Sequence, residues 1–205
     1  MTLRNEAAFF ANVRAGILGP TLSQDEVTGC QAILAAAEGL PISWAAYMLA
    51  TAYHETKSTM QPVREAYWLT QDQADRYFFR MYDPHGARPG VAAELGNTQP
   101  GDGVRFCGRG YVQLTGRRNY QRAQNALGVH LVTNPDLAMD RAIAAKIMRR
   151  GMVEGWFTGK KLADYLPRPG FTAARRIING TDRAGDIAIY ARRFQAALLA
   201  GEWAQ

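Results

Sequence analysis

The helical period of the sequence is the feature that most restricts how this chain folds. In the stretch LSQDEVTGCQAILAAAEGLP, Ser23 and Glu26 have the spacing of a capping box, and the apolar run that follows ends at Gly39 and Pro41. A second capping box begins at Thr70. Further helical patterns cover residues 42–57, 117–126, 140–156, 172–178 and 187–199. The sequence therefore predicts a mainly α fold.

The segment LGNTQPGDGVRFCGRGYVQLTG breaks this pattern. It is rich in glycine and turn-forming residues, and only YVQLT, at residues 111–115, alternates like a short strand. The sequence DPHGARPG before it is predicted to end the preceding helix. Because long loops inside compact domains are more often functional than idle, we expect this segment to carry functional residues beside at most a small two- or three-stranded element.

The composition permits one folded domain with a basic surface. The chain has 205 residues, of which 47% are hydrophobic, and its 24 basic and 18 acidic residues give a net charge of +6. This charge suits an anionic partner such as nucleic acid, a membrane surface or an acidic polymer, and it is equally typical of a solvated surface. The basic stretch RRGMVEGW is too interrupted for a recognition helix, so no nucleic-acid partner is predicted.

The two cysteines and the N-terminal residues give further expectations. Cys30 and Cys107 are far apart and lack a C-x-x-C spacing, so two reduced thiols are the default and one bridge remains open. The N-terminal stretch MTLRNEAAFFANVRAG has no apolar run long enough for a signal peptide or a membrane span. We therefore expect no signal peptide and no stable membrane insertion.

The segment HETKS places His54 and Glu55 at the end of a predicted helix. A zinc-protease motif would need a second histidine at the position of Ser58, and no G-x-S-x-G elbow is present for a serine nucleophile. No metal site and no organic cofactor are predicted.

Two glutamates are candidates for acid and base chemistry. Glu55 shares a helical face with apolar residues, where low dielectric and the helix C-terminus disfavour its charged form, so we expect a protonated general acid. The alternative is a glutamate paired with an arginine in the core. Glu65, beside Arg64, has a more polar context that favours a carboxylate base, and its alternative is an ordinary surface residue.

The stretch GRGYVQLTGRRNY supplies groups that suit sugar hydroxyls and N-acetyl groups. Gln113 and Thr115 are predicted to share one face of the short strand, and Asn119 follows them. Asn179, in RIING, precedes a glycine that would let the backbone approach a ligand. Tyr67 is a candidate for stacking on a sugar ring, although core packing is the commoner role of aromatic residues.

These segments resemble a known family. AYHETKST, FCGRGYVQLTGRRNY and RIING occur in the order found in glycoside hydrolase family 19 chitinases, and the chain looks most like the compact members that bacteriophages use as endolysins. The resemblance covers roughly residues 45–194. It implies that Glu55 is the general acid, that Glu65 activates water, and that Thr115 helps to hold that water.

The resemblance also implies a set of substrate contacts and a fold. The implied substrate-binding residues are His54, Tyr67, Gln113, Asn119, Tyr120 and Asn179. Plant members space their two glutamates more widely than this chain, and Thr181 stands where the family has a second glycine after ING. The implied fold class is a mainly α, lysozyme-like domain with minor α+β character and a small β element lining a substrate cleft.

The function predicted from these observations is inverting hydrolysis of β-1,4 bonds in peptidoglycan glycan strands, for host lysis by an endolysin. The alternatives are a chitinase acting on chitin oligomers and a non-catalytic wall-binding protein. We expect one catalytic domain over residues 1–205 without a separate wall-binding module, acting as a monomer. We also expect the protein to stay in the host cytoplasm until a separate permeabilising protein releases it to the cell wall.

Overall fold

The computed structural model describes residues 3–168 and 170–204 and confirms a mainly α fold with a small β element. The α-helices are α1 (Glu6–Val13), α2 (Gln24–Ala36), α3 (Ile42–Glu55), α4 (Gln71–Tyr82), α5 (Pro89–Leu95), α6 (Asp102–Arg105), α7 (Arg117–Leu127), α8 (Arg141–Glu154), α9 (Phe171–Ala174) and α10 (Ala184–Ala200). A π-helical turn spans Arg14–Leu18, and 3-10 turns span Pro135–Met139, Leu162–Asp164 and Arg175–Ile177.

The predicted helix starts are confirmed in atomic detail. Ser23 caps α2 and Thr70 caps α4, each through a capping box with the glutamate or glutamine three residues later. Gly128 ends α7 in the left-handed conformation, as glycine commonly does after a helix. Helix α3 ends at Glu55, two residues earlier than predicted.

Of two expectations for the middle of the chain, the end of the helix at DPHGARPG is confirmed, and the strand over residues 111–115 was wrong. The sequence DPHGARPG does end α4, but its own Pro89 begins α5, because proline is well tolerated in the first turn of a helix. Residues 111–115 do not form a strand: β1 (Val63–Arg64) instead pairs antiparallel with β2 (Arg109–Gly110), with Val63 opposite Gly110. Leu114 contributes only an isolated bridge to Arg109.

Contacts between Cα atoms divide the chain into two compact units. One contains the residues up to Gln61 together with those from Met148 onward, and the other is Pro62–Ile147. The prediction of one catalytic domain over residues 1–205 stays a prediction.

In the first unit, α10 packs against α1, α3 and α9. The ring of Tyr53 on α3 meets Tyr190 and Phe194 of α10 edge-on, at centroid distances of 4.8 and 6.2 Å. Cys30 is free and buried, and burial, followed by the charge of Glu26, raises the pKa of its thiol to about 12.

In the second unit, α4 packs against α5 and α6, and α5 packs against α7. Ala66, Ala74, Phe78 and Cys107 form a buried apolar cluster, and the Cys107 thiol is free. Among the described residues, no helix has the length and apolar character needed to cross a bilayer.

Buried ion pairing holds the glycine-rich segment of the second unit. Asp102, which is 2% exposed, accepts hydrogen bonds from Arg117 Nε at 2.7 Å and from the amides of Thr98 and Gln99. Burial alone would raise the pKa of Asp102, but the bonds from Arg117 and the two amides outweigh it, so the pKa lies below its usual range.

We predict an acid-labile contribution of Asp102 to stability. Because its pKa is lower in the folded protein than in the unfolded chain, its stabilisation is present above pH 4 and is lost as the pH falls through the lowered folded value. Asp102→Asn should lower the free energy of unfolding at pH 7 by roughly 2 kcal/mol, since hydrogen bonds to a charged group are lost. It should also flatten the pH dependence of stability below about pH 5.

The matched control is Asp72→Asn, which removes an exposed carboxylate paired with Arg76 one helical turn away. Exposed pairs of this kind contribute little, so we expect a change within about 0.5 kcal/mol. Denaturant unfolding from pH 2 to pH 7 measures both variants, and equal effects of the two substitutions would contradict the prediction.

Candidate active site

Glu65 lies at the centre of a polar cluster in the second unit. It directly follows β1, and its backbone amide donates to the carbonyl of Gly108 at 2.8 Å. The Gly108 amide returns a hydrogen bond to Glu65 Oε2 at 3.2 Å, and the Tyr82 hydroxyl donates to Oε1 at 2.7 Å. Glu65 is therefore oriented on both carboxylate oxygens, unlike a free surface residue.

Gln113 and Thr115 join Glu65 around Gly108. A Cβ placed on Gly108 would lie 2.6 Å from Gln113 Oε1, 2.9 Å from Glu65 Oε2 and 3.1 Å from Thr115 Oγ1. Three side chains predicted from the sequence thus converge on one glycine that has no side chain of its own. Because of this close approach, a side chain at the first glycine of GRGYVQLTG would displace these three groups.

The convergence of Gln113 and Thr115 arises from a turn and not from the strand that was predicted. Gln113 adopts a left-handed backbone with φ of 55°, which is uncommon for residues other than glycine, asparagine and aspartate. Its side-chain amide donates to the carbonyl of Val63 at 2.9 Å, and Thr115 Oγ1 donates to the carbonyl of Gln113 at 3.0 Å. Such backbone strain is typical of functional sites, where surrounding contacts hold it in place.

Asn119 and Tyr120 support this cluster from α7. Asn119 Nδ2 donates to the carbonyl of Thr115 at 2.7 Å and so fixes the turn. Tyr120 is fully buried, and its hydroxyl donates to the carbonyl of Cys107 at 2.9 Å while accepting from Arg109. In this structure Tyr120 supports the backbone beside Gly108, and its role in substrate binding stays a prediction.

Tyr67 stands two residues beyond Glu65 and is open to solvent. Its side chain is 55% exposed and packs edge-on against Trp68, which is 68% exposed. Exposed aromatic rings of this kind provide apolar faces for sugar rings, and the alternative of core packing does not apply to Tyr67.

Glu55 forms an ion pair in the first unit. As the last residue of α3 it accepts a hydrogen bond from Arg175 Nη1 at 2.6 Å, and the two side chains are 22% and 2% exposed respectively. This is the alternative arrangement, a glutamate paired with a core arginine. The structure thus has the arginine-paired arrangement, and the general-acid role of Glu55 stays a prediction.

The remaining predicted residues of the first unit flank this ion pair in the chain. His54 precedes Glu55 at the end of α3 and is partly exposed. Asn179 is exposed, and its backbone amide donates to the carbonyl of Arg175 at 3.0 Å. The 3-10 turn that carries Arg175 therefore also sets the position of Asn179.

Sequence reasoning missed three side chains that contact the predicted carboxylates. Arg175 lies 120 positions from Glu55, and the only signal for it is its place four residues before Asn179. Tyr77 and Tyr82 lie on α4, and their hydroxyls reach Glu65 Oε1. Among the described residues, no group of three His, Cys, Asp or Glu side chains has the arrangement of a metal site.

Carboxyl, amide and hydroxyl groups gathered around Gly108 in a mainly α fold are side-chain types that glycoside hydrolases also use. The family is identified by sequence: the chain belongs to glycoside hydrolase family 19, whose model, described as chitinase class I, matches residues 44–161, more than half of the chain. The predicted family is thereby confirmed.

Individual relatives agree with this assignment. Chitinase 8 of Oryza sativa subsp. japonica is 55% identical over 81 residues, which are 35% of this chain and 30% of that protein. The acidic 27 kDa endochitinase of Solanum lycopersicum is 35% identical over 98 residues, which are 40% of each chain. The chain thus matches less than half the length of these curated relatives. These relatives do not support the narrower resemblance to phage endolysins.

A solved structure confirms the predicted fold class. Chitinase C from Streptomyces griseus HUT6037 superposes with a TM-score of 0.61 at 22% identity, over 96% of this chain and 77% of that chain. At this level of identity the similarity establishes the mainly α, lysozyme-like fold of the family.

We predict that Gly108→Ala damages the cluster more than the fold. The added methyl group would press against the ends of Gln113, Glu65 and Thr115, which are able to move, so the fold should survive while the three groups are displaced. Activity on a glycan substrate should fall by roughly a hundredfold, since displacements of about 1 Å have such effects.

Gly90→Ala in α5 is the control, because a Cβ there meets no atom within 4 Å. Equal activities of the two variants would contradict the prediction.

Proposed function

We propose that this protein is a glycosidase that hydrolyses β-1,4 bonds of N-acetylated amino-sugar polymers with inversion at the anomeric carbon. The observation that carries the proposal is the convergence of Glu65, Gln113 and Thr115 on Gly108 in a chain of glycoside hydrolase family 19. Acid and base catalysis by two carboxyl groups is the usual chemistry of such enzymes.

In the proposed mechanism, Glu65 removes a proton from the attacking water. The hydroxyl of Thr115 donates to the carbonyl of Gln113, which leaves its oxygen lone pairs free to accept a hydrogen bond from that water. Asn119 and Gln113 hold the turn that positions the hydroxyl. Because the water is already positioned, the reaction avoids much of the entropy loss of a bimolecular encounter.

Glu55 is the proposed general acid, and Arg175 is its ion-pair partner. Glu55 donates its proton to the leaving oxygen, and the ion pair with Arg175 stabilises the carboxylate that remains. His54, Tyr67 and Asn179 are proposed to contact the sugar chain.

Chitin oligomers are the first proposed substrate. The relatives matched in rice, tomato and Streptomyces griseus are named as chitinases or an endochitinase. The exposed pair Tyr67 and Trp68 suits the apolar faces of N-acetylglucosamine rings. Incubation with chitin hexamers and, in parallel, with purified peptidoglycan tests the proposal, and intact polymer in both incubations would refute it.

Peptidoglycan is the second candidate, favoured by the net charge of +6. Its stem peptides carry carboxylates, whereas chitin is neutral, so a basic protein is attracted to the former. This candidate retains the proposed endolysin role, with retention in the cytoplasm until a permeabilising protein acts.

We predict that α10 contributes to such wall attraction if peptidoglycan is the substrate. Arg192 and Arg193 are exposed on this helix, between the exposed Ile189 and Leu199. Arg192→Glu combined with Arg193→Glu should reduce cosedimentation with whole cell walls at low salt several-fold, and salt should abolish the difference. Unchanged cosedimentation would remove this support for peptidoglycan, while hydrolysis of chitin hexamers serves as the control for folding.

We predict that the two glutamates are both required. Glu55→Gln keeps the shape but removes the donated proton, so turnover should fall by at least about a hundredfold without loss of folding. Glu65→Gln should also impair turnover while substrate binding persists. Measurement of kcat and binding affinity for both variants checks the roles, and a larger loss from replacing another acidic residue would reassign them.

We predict that the first product has the α configuration. Direct attack by a water on the face opposite the leaving oxygen inverts a β-linked sugar, whereas a covalent intermediate would retain it. Proton NMR of the products, recorded before mutarotation, distinguishes the two. An initial β product would contradict the water-activating role of Glu65 and leave the family assignment intact.

A further inference from the structure

The two oxygens of the Glu65 carboxylate have different surroundings. Oε1 accepts from the Tyr82 hydroxyl at 2.7 Å and lies 3.5 Å from the Tyr77 hydroxyl. Within the described parts of the chain, Oε2 accepts only the longer bond, 3.2 Å, from the Gly108 amide, on the side where Thr115 Oγ1 lies. One oxygen is thus held by phenols, and the other faces the hydroxyl proposed to hold water.

Tyr82 is itself firmly positioned. It is the last residue of α4, its ring stacks on Phe78 at 6.4 Å with an interplanar angle of 17°, and its carbonyl accepts from Asn97 Nδ2 at 2.8 Å. Burial, followed by the hydrogen bond to Glu65, raises the pKa of the Tyr82 hydroxyl. The hydroxyl therefore remains a proton donor throughout the range in which a glycosidase works.

The other polar groups around Glu65 do not duplicate this bond. The guanidinium of the adjacent Arg64 instead contacts Gln71 at 3.1 Å and Asp75 at 3.9 Å. Thr115 directs its hydroxyl proton to the Gln113 carbonyl, and Gln113 directs its amide to Val63. Tyr77, at 3.5 Å, is at the limit of a hydrogen bond.

We propose that Tyr82 is the positioning residue of the base: it occupies Oε1 of Glu65, stabilises the charged carboxylate, and leaves Oε2 as the atom that receives the proton. In the reaction, one O–H bond of the water breaks, its proton passes to Oε2, and the oxygen forms the new bond to the anomeric carbon. The bond to the leaving oxygen breaks and that oxygen takes the proton of Glu55. This inference rests on the proposed role of Glu65.

The test is Tyr82→Phe in the full chain, which removes only the hydroxyl. Loss of a hydrogen bond to a charged group costs a free energy equivalent to roughly one pH unit of protonation. The acidic limb of the kcat/KM profile should therefore move to higher pH by about that amount. Below the limb, kcat/KM should fall roughly tenfold, with KM nearly unchanged because Tyr82 touches the carboxylate and not the sugar. Incorporation of 3-fluorotyrosine at position 82, a stronger donor of similar shape, should move the limb in the opposite direction.

Two controls separate positioning from a structural effect. Tyr53→Phe also removes a partly buried hydroxyl, one that donates to the carbonyl of Ile17, and it should leave the acidic limb in place. Tyr77→Phe should shift the limb less than Tyr82→Phe, because its hydroxyl is farther from Oε1.

A measurement without substrate distinguishes failure of this inference from failure of the proposed function. The carbon-13 titration of the Glu65 carboxyl, assigned by its disappearance in Glu65→Gln, should have its midpoint at higher pH in Tyr82→Phe than in the parent. A shifted titration without hydrolysis of any glycan would refute the proposed function and support the positioning of Glu65 by Tyr82. Superimposable titrations of the two proteins, or an equal shift in Tyr53→Phe, would overturn the proposal.

Discussion

The reciprocal bonding between Glu65 and Gly108 is the interaction on which the second unit's polar cluster depends. The Glu65 amide donates to the Gly108 carbonyl, and the Gly108 amide donates to the Glu65 carboxylate. These bonds extend the two-residue pairing of β1 with β2. A short strand pair is marginal in isolation, so the side-chain bond both strengthens the pairing and fixes the carboxylate.

Buried polar side chains stabilise the segment that delivers Gly108, Gln113 and Thr115. Asn97 is 2% exposed, donates to the carbonyl of Tyr82 and accepts from the amide of Arg117, so it joins α4 to α7. Asp83 accepts from the amides of Gly101 and Gly103 in the same segment. Because these donors and acceptors are satisfied, their burial specifies one conformation of this segment.

Features that depend on residues close together in the sequence were predicted, whereas features that depend on distant residues were not. Capping boxes at Ser23 and Thr70 depend on residues three positions apart, so the sequence alone predicts them. The pairing of residues 63–64 with 109–110 depends on partners more than forty positions apart, and the two-residue strands carry no periodic signal.

The same distinction applies to the candidate site. Gln113 and Thr115 were identified by their chemistry, but a left-handed glutamine, φ 55°, has no sequence signature, so the way in which they converge was not predictable. Arg175 pairs with Glu55 across 120 positions, and the choice between an isolated acid and an ion-paired one could be made only in three dimensions. Tyr82 was missed because a tyrosine at a helix end is usually explained by packing alone.

Each proposed catalytic carboxyl is fixed by groups of its own unit. After Glu55 the chain turns through left-handed residues Lys57, Ser58 and Met60, and Met60 is fully buried. Helix α2 approaches this turn so closely that a Cβ on Gly29 would collide with the Met60 carbonyl. Since α2 is anchored by its capping box, the end of α3 cannot shift without disturbing that packing. Glu55 is thus held by packing and by Arg175, while Glu65 is held by a backbone amide and a phenol. Catalysis by two carboxyl groups needs this kind of preorganisation, because groups that are already oriented lose little entropy when substrate arrives.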